Sequence, residues 1–287
     1  MLYDVIIIGS GPAGISASLY TKRAGLETLI VSKGIGTLSK VEEIENYYGT
    51  PNISGKAIQE IGENQAKNLN IEIKNEEIMQ IDYGKNFIVK TLNYEYEAKT
   101  IIIATGSNRK VANIKGIKEF EGKGVSYCTT CDGFFYKDKD VAVLGNREYA
   151  LHEAQNLLPI AKSVTMLTNG EQSVEKRTEG IEIKENKIRE FRGTNSIEEI
   201  EFEDNTKKKI DGVFVALGTA SSSDLARKLG VILDEKNNIK VDSKMETNIK
   251  GVYACGDCTG GILQISKAVY EGMVAGMSAI QFLKNTK

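Results

Sequence analysis

The chain has 287 residues, 41% of them hydrophobic and 26% charged, with a formal net charge of −2. That length exceeds one ordinary core, so two domains are expected, and the near-neutral balance gives no support to nucleic-acid binding. Twenty-eight glycines against three prolines suit repeated tight strand-to-helix turns better than disorder.

Met1 leads straight into Val5-Ile6-Ile7-Ile8, with no basic leader and no cleavage site. The apolar run is too short for a membrane span, so a cytoplasmic, membrane-free protein is expected. In that compartment paired cysteines are catalytic or metal-bound rather than structural.

Residues 3–8 predict a buried strand, and Gly9-Ser10-Gly11-Pro12-Ala13-Gly14 then turns into a helix over 15–24. Gly9 permits the tight turn, Gly11 lets backbone approach a pyrophosphate, and Gly14 lets helix pack on strand. The helix N-terminus offers N–H groups and partial positive charge to that phosphate. A three-glycine loop alone is a weak signal. Here residues 28–31 supply the next strand, and the completed β-α-β unit makes it strong. An acid is expected at the end of that strand to grip the ribose, but Ser32 stands there, which hydrogen-bonds without the strength of a charged acceptor.

Residues 33–52 form a loop containing Asn46, and 55–69 a helix. Alternation at Ile71, Ile73, Ile78, Ile81, Phe87, Val89 and Leu92 predicts a small antiparallel sheet. A buried strand over 100–104 ends in Ala104-Thr105-Gly106.

Next comes Tyr127-Cys128-Thr129-Thr130-Cys131-Asp132-Gly133-Phe134-Phe135. Two thiols separated by two residues can close into a disulfide across the first turn of a helix. Asp132 follows directly, and the aromatic pair offers apolar cover. In an intracellular chain this is a redox couple.

The first pattern then repeats. Residues 140–144 form a second buried strand, followed by Gly145-Asn146-Arg147-Glu148-Tyr149-Ala150, a helix through Leu157 and a strand over 163–167. The single histidine, His152, reads as a solvated residue of that helix rather than a triad member. Alternation at Ile181, Ile183, Ile188, Phe191, Ile197, Ile200 and Phe202 follows, and residues 212–218 echo 101–106. The echo predicts two related nucleotide-binding domains. The tail adds a short strand ending in Gly256-Asp257, then a helix over 264–283 whose Ala268, Gly272, Ala275, Gly276 and Ala279 permit close packing. The expected fold is α/β, with two Rossmann-like, three-layer ββα domains. Residues 1–112 and 243–287 would form the first, and 113–242 the central domain.

The Gly9 loop, the Cys128 pair, the Gly145 loop and Gly256-Asp257, in this order, make the chain similar to the low-molecular-weight thioredoxin reductases over essentially its whole length. The resemblance implies FAD bound by Gly9, Gly11, Pro12, Ala13 and Gly14 around the phosphates, with Ser32 at the ribose and Gly106 at the end of the closing strand. Asn46 in the loop, and Gly256 and Asp257 near the ribityl chain, complete the implied cofactor set. It also implies that Cys131 faces the flavin, that Cys128 exchanges with thioredoxin, and that Asp132 moves the thiol protons. A homodimer is implied as well.

The second glycine loop departs from that family. Arg147 replaces its middle glycine, Glu148 adds negative charge to the helix start, and Thr168-Asn169-Gly170 replaces the arginines that clamp a 2′-phosphate. Two lost charged hydrogen bonds of roughly 1.5–3 kcal/mol each amount to about 10² to 10⁴ in affinity. The chain therefore looks most like ferredoxin-dependent flavin thioredoxin reductases, with ferredoxin as donor. NADPH or a deazaflavin as donor is the alternative within this class. Cys255-Gly256-Asp257-Cys258 is a second pair. Together with the first it could make a four-thiolate metal or iron–sulfur protein, the alternative from another class. Since Asp257 is wanted by the flavin, these are expected to be structural or incidental thiols, with no metal bound; a secondary redox pair near the flavin is the other reading.

Overall fold

An unbroken apolar run makes a strand that must be covered on both faces. The computed structural model places such a run, β1 (Leu2–Ile8), at the centre of a mostly parallel sheet, with Val5, Ile6, Ile7 and Ile8 buried. The structure describes residues 1–34, 36–50, 52–106, 112–173 and 178–286. They divide into two units, Met1–Asn108 with Ser221–Lys287, and Arg109–Ala220.

In the first unit, α1 (Pro12–Arg23), β2 (Thr28–Ser32), α2 (Gly55–Asn68) and β3 (Glu72–Asn75) follow β1, then β4 (Ile78–Tyr83), β5 (Phe87–Thr91) and β6 (Glu95–Ile103). The strands run in the order β3-β2-β1-β6-β5-β4. Along one side β6 is parallel to β1, from Leu2↔Glu97 to Ile8↔Ile103. On its other side its first residues pair antiparallel with β5, from Lys90↔Glu95 to Phe87↔Ala98. One long strand thus joins the nucleotide-type sheet to the meander.

The second unit contains β7 (Val125–Ser126), α3 (Thr129–Asp132), β8 (Asp140–Leu144), α4 (Glu148–Leu157), β9 (Ser163–Leu167) and β10 (Ile181–Lys184). After these come β11 (Ile188–Gly193), β12 (Ile197–Phe202), β13 (Lys207–Lys209) and β14 (Gly212–Val215). A parallel sheet has the order β10-β9-β8-β14-β7, and β11-β12-β13 form an antiparallel meander. Phe191, Ile197, Ile200 and Phe202 from the meander share a core with Leu144 and Val213 from the parallel sheet. The order β3-β2-β1-β6 in one unit and β10-β9-β8-β14 in the other is the same arrangement built twice. The fold is α/β with two Rossmann-like units.

The chain returns to the first unit through α5 (Ser222–Lys228), β15 (Val252–Ala254) and α6 (Ile265–Asn285). β15 pairs parallel with the last residues of β6, Val252↔Ile101 to Ala254↔Ile103. α6 lies so close on α1 that a Cβ at Gly272 would sit 2.1 Å from the Ala13 carbonyl oxygen. Ser16 Oγ donates to Val269 O at 2.7 Å across the same seam. Among the described residues no helix is long and apolar enough to cross a membrane.

Three expectations differ from the structure. Ile71 and Ile73 do not join the antiparallel meander: β3 is parallel to β2, and likewise β10, with Ile181 and Ile183, is parallel to β9. Alternation reports that one face of a strand is buried, not which neighbour it pairs with. Leu92 lies beyond β5 and is exposed. The return to the first unit comes at Ser221 rather than at 243. There α5 opens on a reciprocal cap, Asp224 N–H to Ser221 Oγ and Ser221 N–H to Asp224 Oδ2. Lys228 Nζ then donates to Met79 O at 3.1 Å, holding the helix to β4. The Ser-x-x-Asp spacing was the local signal for this helix.

Candidate active site

In the first unit the glycine turn is held from several sides. Gly9 N–H donates to Val31 O at 2.9 Å, and Gly9 adopts a φ of +110° that disfavours other residues. Cβ atoms at Gly9 and Gly14 would lie 2.4 Å from Ala104 O and 1.9 Å from Gly9 O, so both are packing glycines. At Gly11 a Cβ would meet nothing within 4 Å. This glycine faces open space, as close approach of a ligand to backbone requires. It is also the N-cap of α1, where no side chain caps the helix and Pro12 begins it. Gln59 of α2 donates to Ser10 O at 2.6 Å and braces the loop, while Ser10 Oγ donates to Ser32 Oγ at 3.1 Å.

The turn after β15 faces similar demands. Gly256 has φ +83°, and its N–H donates to Glu271 Oε2 at 2.8 Å. Lys267 Nζ donates to Gly256 O at 2.8 Å and lies 3.0 Å from Glu271 Oε2, so α6 grips both sides of this peptide. Neither residue was singled out from the sequence. Asp257 is half-buried, and desolvation pushes its carboxyl above the usual carboxylate range, with Lys267 opposing the shift. Among the described residues its carboxylate takes no hydrogen bond, which leaves it open to a sugar hydroxyl. Gly106 has φ +74°, and its carbonyl accepts from Ser222 Oγ at 3.2 Å. Asn46 Nδ2 donates to Gln264 Oε1 at 3.1 Å, so Gln264, which sequence spacing left unassigned, belongs with Asn46. An open glycine, an uncapped helix start and an unpartnered carboxyl fit FAD.

In the second unit β7 leads directly into the cysteine pair. Cys128 and Cys131 are closed into a disulfide with Cα atoms 5.3 Å apart, and Cys128 is the N-cap of α3. Cys131 N–H donates to Cys128 Sγ at 3.1 Å. Cys128 is buried and Cys131 exposed, which runs opposite to the order expected if Cys128 is the sulfur that meets thioredoxin. Asp132 Oδ2 accepts from Ser126 Oγ at 2.6 Å. Thr129 Oγ1 donates to buried Glu153 of α4 at 2.6 Å, tying α3 down from the other side.

Phe134 and Phe135 do not cover the disulfide: they are 77% and 70% exposed. The aromatic that turns inward is Tyr136, edge-on to Phe214 with ring centroids 5.2 Å apart. His152 is half-buried rather than solvated. Cys255 and Cys258 are buried free thiols, and burial pushes both up, Cys258 to about 12. Among the described residues no group of three or more His, Cys, Asp or Glu could hold a metal ion.

The second glycine turn keeps its packing. A Cβ at Gly145 would lie 2.2 Å from Ala216 O and 2.6 Å from the Ala150 Cβ, so strand and helix approach closely, as in the first unit. Arg147 is the N-cap of α4, however, and Glu148 lies in its first turn. Asn146 Nδ2 donates to Glu171 Oε2 at 2.7 Å and to Gln172 O at 3.2 Å, joining the turn to the loop after β9. Arg147 and Glu148 thus stand where the first unit has Gly11 and Pro12.

Known proteins share this architecture along its whole length. Residues 3–272 match the family model for pyridine nucleotide-disulphide oxidoreductases. The chain is 33% identical to a thioredoxin reductase of Bacillus subtilis, over 99% of this chain and 95% of that one. Among solved structures it is similar to the atypical thioredoxin reductase TRi from Desulfovibrio vulgaris Hildenborough, at 38% identity, TM-score 0.93 and 98% coverage of both chains. It is also similar to a ferredoxin-flavin thioredoxin reductase from Clostridium acetobutylicum, at 33% identity, TM-score 0.75 and 99% coverage of both. The chain belongs to the pyridine nucleotide-disulphide oxidoreductases and, within these FAD-binding flavoproteins, to the thioredoxin reductase family.

Proposed function

We propose that this protein is a thioredoxin reductase that takes electrons from reduced ferredoxin and passes them by way of FAD and the Cys128–Cys131 disulfide to thioredoxin. The observation that carries the choice of donor is the Gly145 turn, with Arg147 at the helix cap and Asn146 tied to Glu171. The similar Clostridium acetobutylicum protein is itself a ferredoxin-flavin thioredoxin reductase.

FAD, when bound, supplies the ability to accept electrons singly and deliver them in pairs. Gly9, Gly11, Pro12, Ala13 and Gly14 would hold its phosphates, Ser32 its ribose, and Gly106, Asn46, Gly256 and Asp257 the rest of the molecule. The Cys128–Cys131 bond breaks on gaining two electrons and two protons. A thiolate then attacks the thioredoxin disulfide, forming a mixed disulfide, and the second thiol displaces thioredoxin as its dithiol. Overall, two reduced ferredoxins, two protons and one oxidised thioredoxin give two oxidised ferredoxins and one thioredoxin dithiol.

Asp132 exchanges protons with the sulfurs. Cys131 N–H donates to Cys128 Sγ at 3.1 Å, so the first turn of α3 is aimed at that sulfur. Because Cys128 is buried in the disulfide state, it must be uncovered before it attacks. The overall reaction runs downhill: about −400 mV for a plant-type ferredoxin against about −270 mV for thioredoxin is roughly 6 kcal/mol for two electrons.

Anaerobic titration of the FAD-loaded protein tests the donor. Reduced ferredoxin should bleach the flavin and drive thioredoxin reduction, whereas micromolar NADPH should do neither. Bleaching by micromolar NADPH within a turnover time overturns this choice.

A further inference from the structure

We infer that Ser126 is a positioning residue for the proton transfers at the Cys128–Cys131 pair, an inference that rests on the role proposed above for Asp132. Ser126 is buried at the end of β7, where Ser126 and Phe214 are register partners. Two bonds meet at its hydroxyl: Cys128 N–H donates to Ser126 Oγ at 3.1 Å, and Ser126 Oγ donates to Asp132 Oδ2 at 2.6 Å.

The direction of both bonds is forced. A backbone N–H can only donate, so the serine oxygen accepts from Cys128 and turns its one proton to the carboxylate. A single hydroxyl therefore fixes the acid to the backbone of the cysteine it serves, within a segment of seven residues. Thr129, bonded to Glu153, anchors α3 on its opposite side, so the carboxyl of Asp132 is set by Ser126 and not by drift of the helix.

Removing the hydroxyl should slow the exchange by about tenfold, part of the 10²–10⁴ that a placed acid–base group contributes. A merely structural role would slow the exchange equally with and without the Asp132 carboxyl.

The test uses the full-length FAD-loaded protein and its Ser126→Ala, Ser126→Thr, Asp132→Asn and double Ser126→Ala/Asp132→Asn variants. Each is reduced with excess dithiol, freed of it, and mixed with a small aromatic disulfide across pH 5–9, an order-of-magnitude working range for thiol exchange. The exchange oxidises the Cys128–Cys131 dithiol and releases two aromatic thiols, read by their absorbance. Flavin absorbance and unfolding midpoint check the fold of every variant.

Ser126→Ala should be about tenfold slower, and Ser126→Thr, which keeps the hydroxyl, should restore the rate. In the Asp132→Asn background Ser126→Ala should cost nothing further. An unchanged rate in Ser126→Ala, failure of Ser126→Thr to rescue, or multiplicative losses in the double variant each overturn the inference. The small disulfide keeps this separable from the proposed function: a protein that exchanges normally here yet fails to reduce thioredoxin defeats that reading and leaves the role of Ser126 decided.

Discussion

Asn146 and Glu171 are hydrogen-bonded side chain to side chain at 2.7 Å, joining the first residue after Gly145 to the loop that follows β9. In the first unit the residue after Gly9 is Ser10, which donates to Ser32 Oγ at 3.1 Å, and the open backbone lies one residue on, at Gly11, where the second unit has Arg147. Two copies of one strand-turn-helix unit thus differ where a pyrophosphate would lie. Opening the second copy should partly restore a nucleotide site. Arg147→Gly combined with Glu171→Ala removes an obstructing side chain and an acidic group. About one tenfold step in NADPH affinity is expected, equivalent to ~1.4 kcal/mol. Calorimetric titration of parent and variant checks it, with ferredoxin-driven activity expected to stay unchanged.

Replacing either Cys128 or Cys131 by Ser should abolish thioredoxin reduction, since neither single thiol can close a disulfide. The flavin spectrum should survive, because the cofactor cradle lies in the other unit. Activity persisting in both variants would move the chemistry to Cys255 and Cys258.

Those two thiols should be inert. Burial raises both well above the ordinary thiol range, so at neutral pH they remain protonated and poor nucleophiles. Mass spectrometry after dithiol reduction and native-state alkylation at pH near 8, an order-of-magnitude choice just below the free thiol value, should find label on Cys128 or Cys131 alone. Cys255→Ser should cost about 1–3 kcal/mol by burying a hydroxyl in an apolar core.

The α1–α6 seam depends on the missing side chain of Gly272. Gly272→Val would place atoms against the Ala13 carbonyl, forcing the helices apart. A loss of about 1–3 kcal/mol is expected from overpacking. Denaturant midpoints would show it, together with weaker FAD retention, since Ala13 and Gly256 sit on this seam. An unchanged midpoint would mean that α6 can slide at little cost.

Asp257 should leave a signature in acid titration of the apoprotein. Its carboxyl is raised by desolvation, so the folded state binds more protons than the unfolded one between 3.8 and the raised value. Stability from this group is therefore lost as pH rises through that window. Asp257→Asn should flatten this part of the stability curve and stabilise the apoprotein at neutral pH, while weakening FAD binding. A parent and variant with parallel curves would remove the carboxyl from the balance.

Both glycine turns, the strands that enter them and the cysteine pair were legible in the sequence, because each rests on neighbouring residues. Gly9 needs a positive φ that few other residues tolerate, β1 is a continuous apolar run, and Cys128 and Cys131 span one helical turn. Arg147 in the place of a glycine was equally visible, since it is read from the residue itself.

The tertiary structure decided what depends on partners far along the chain. Whether β3 and β10 join a parallel sheet or a meander is chosen by β2 and β9, not by their own alternation. Gln264 meets Asn46 across 218 positions, and Lys267 and Glu271 reach Gly256 only because α6 packs on α1. Even within the short segment around the disulfide, spacing could not say that Phe134 and Phe135 face out while Ser126 turns toward Asp132. Local sequence specifies backbone conformation and chemistry; the direction in which a side chain points is set by the neighbours that folding brings to it.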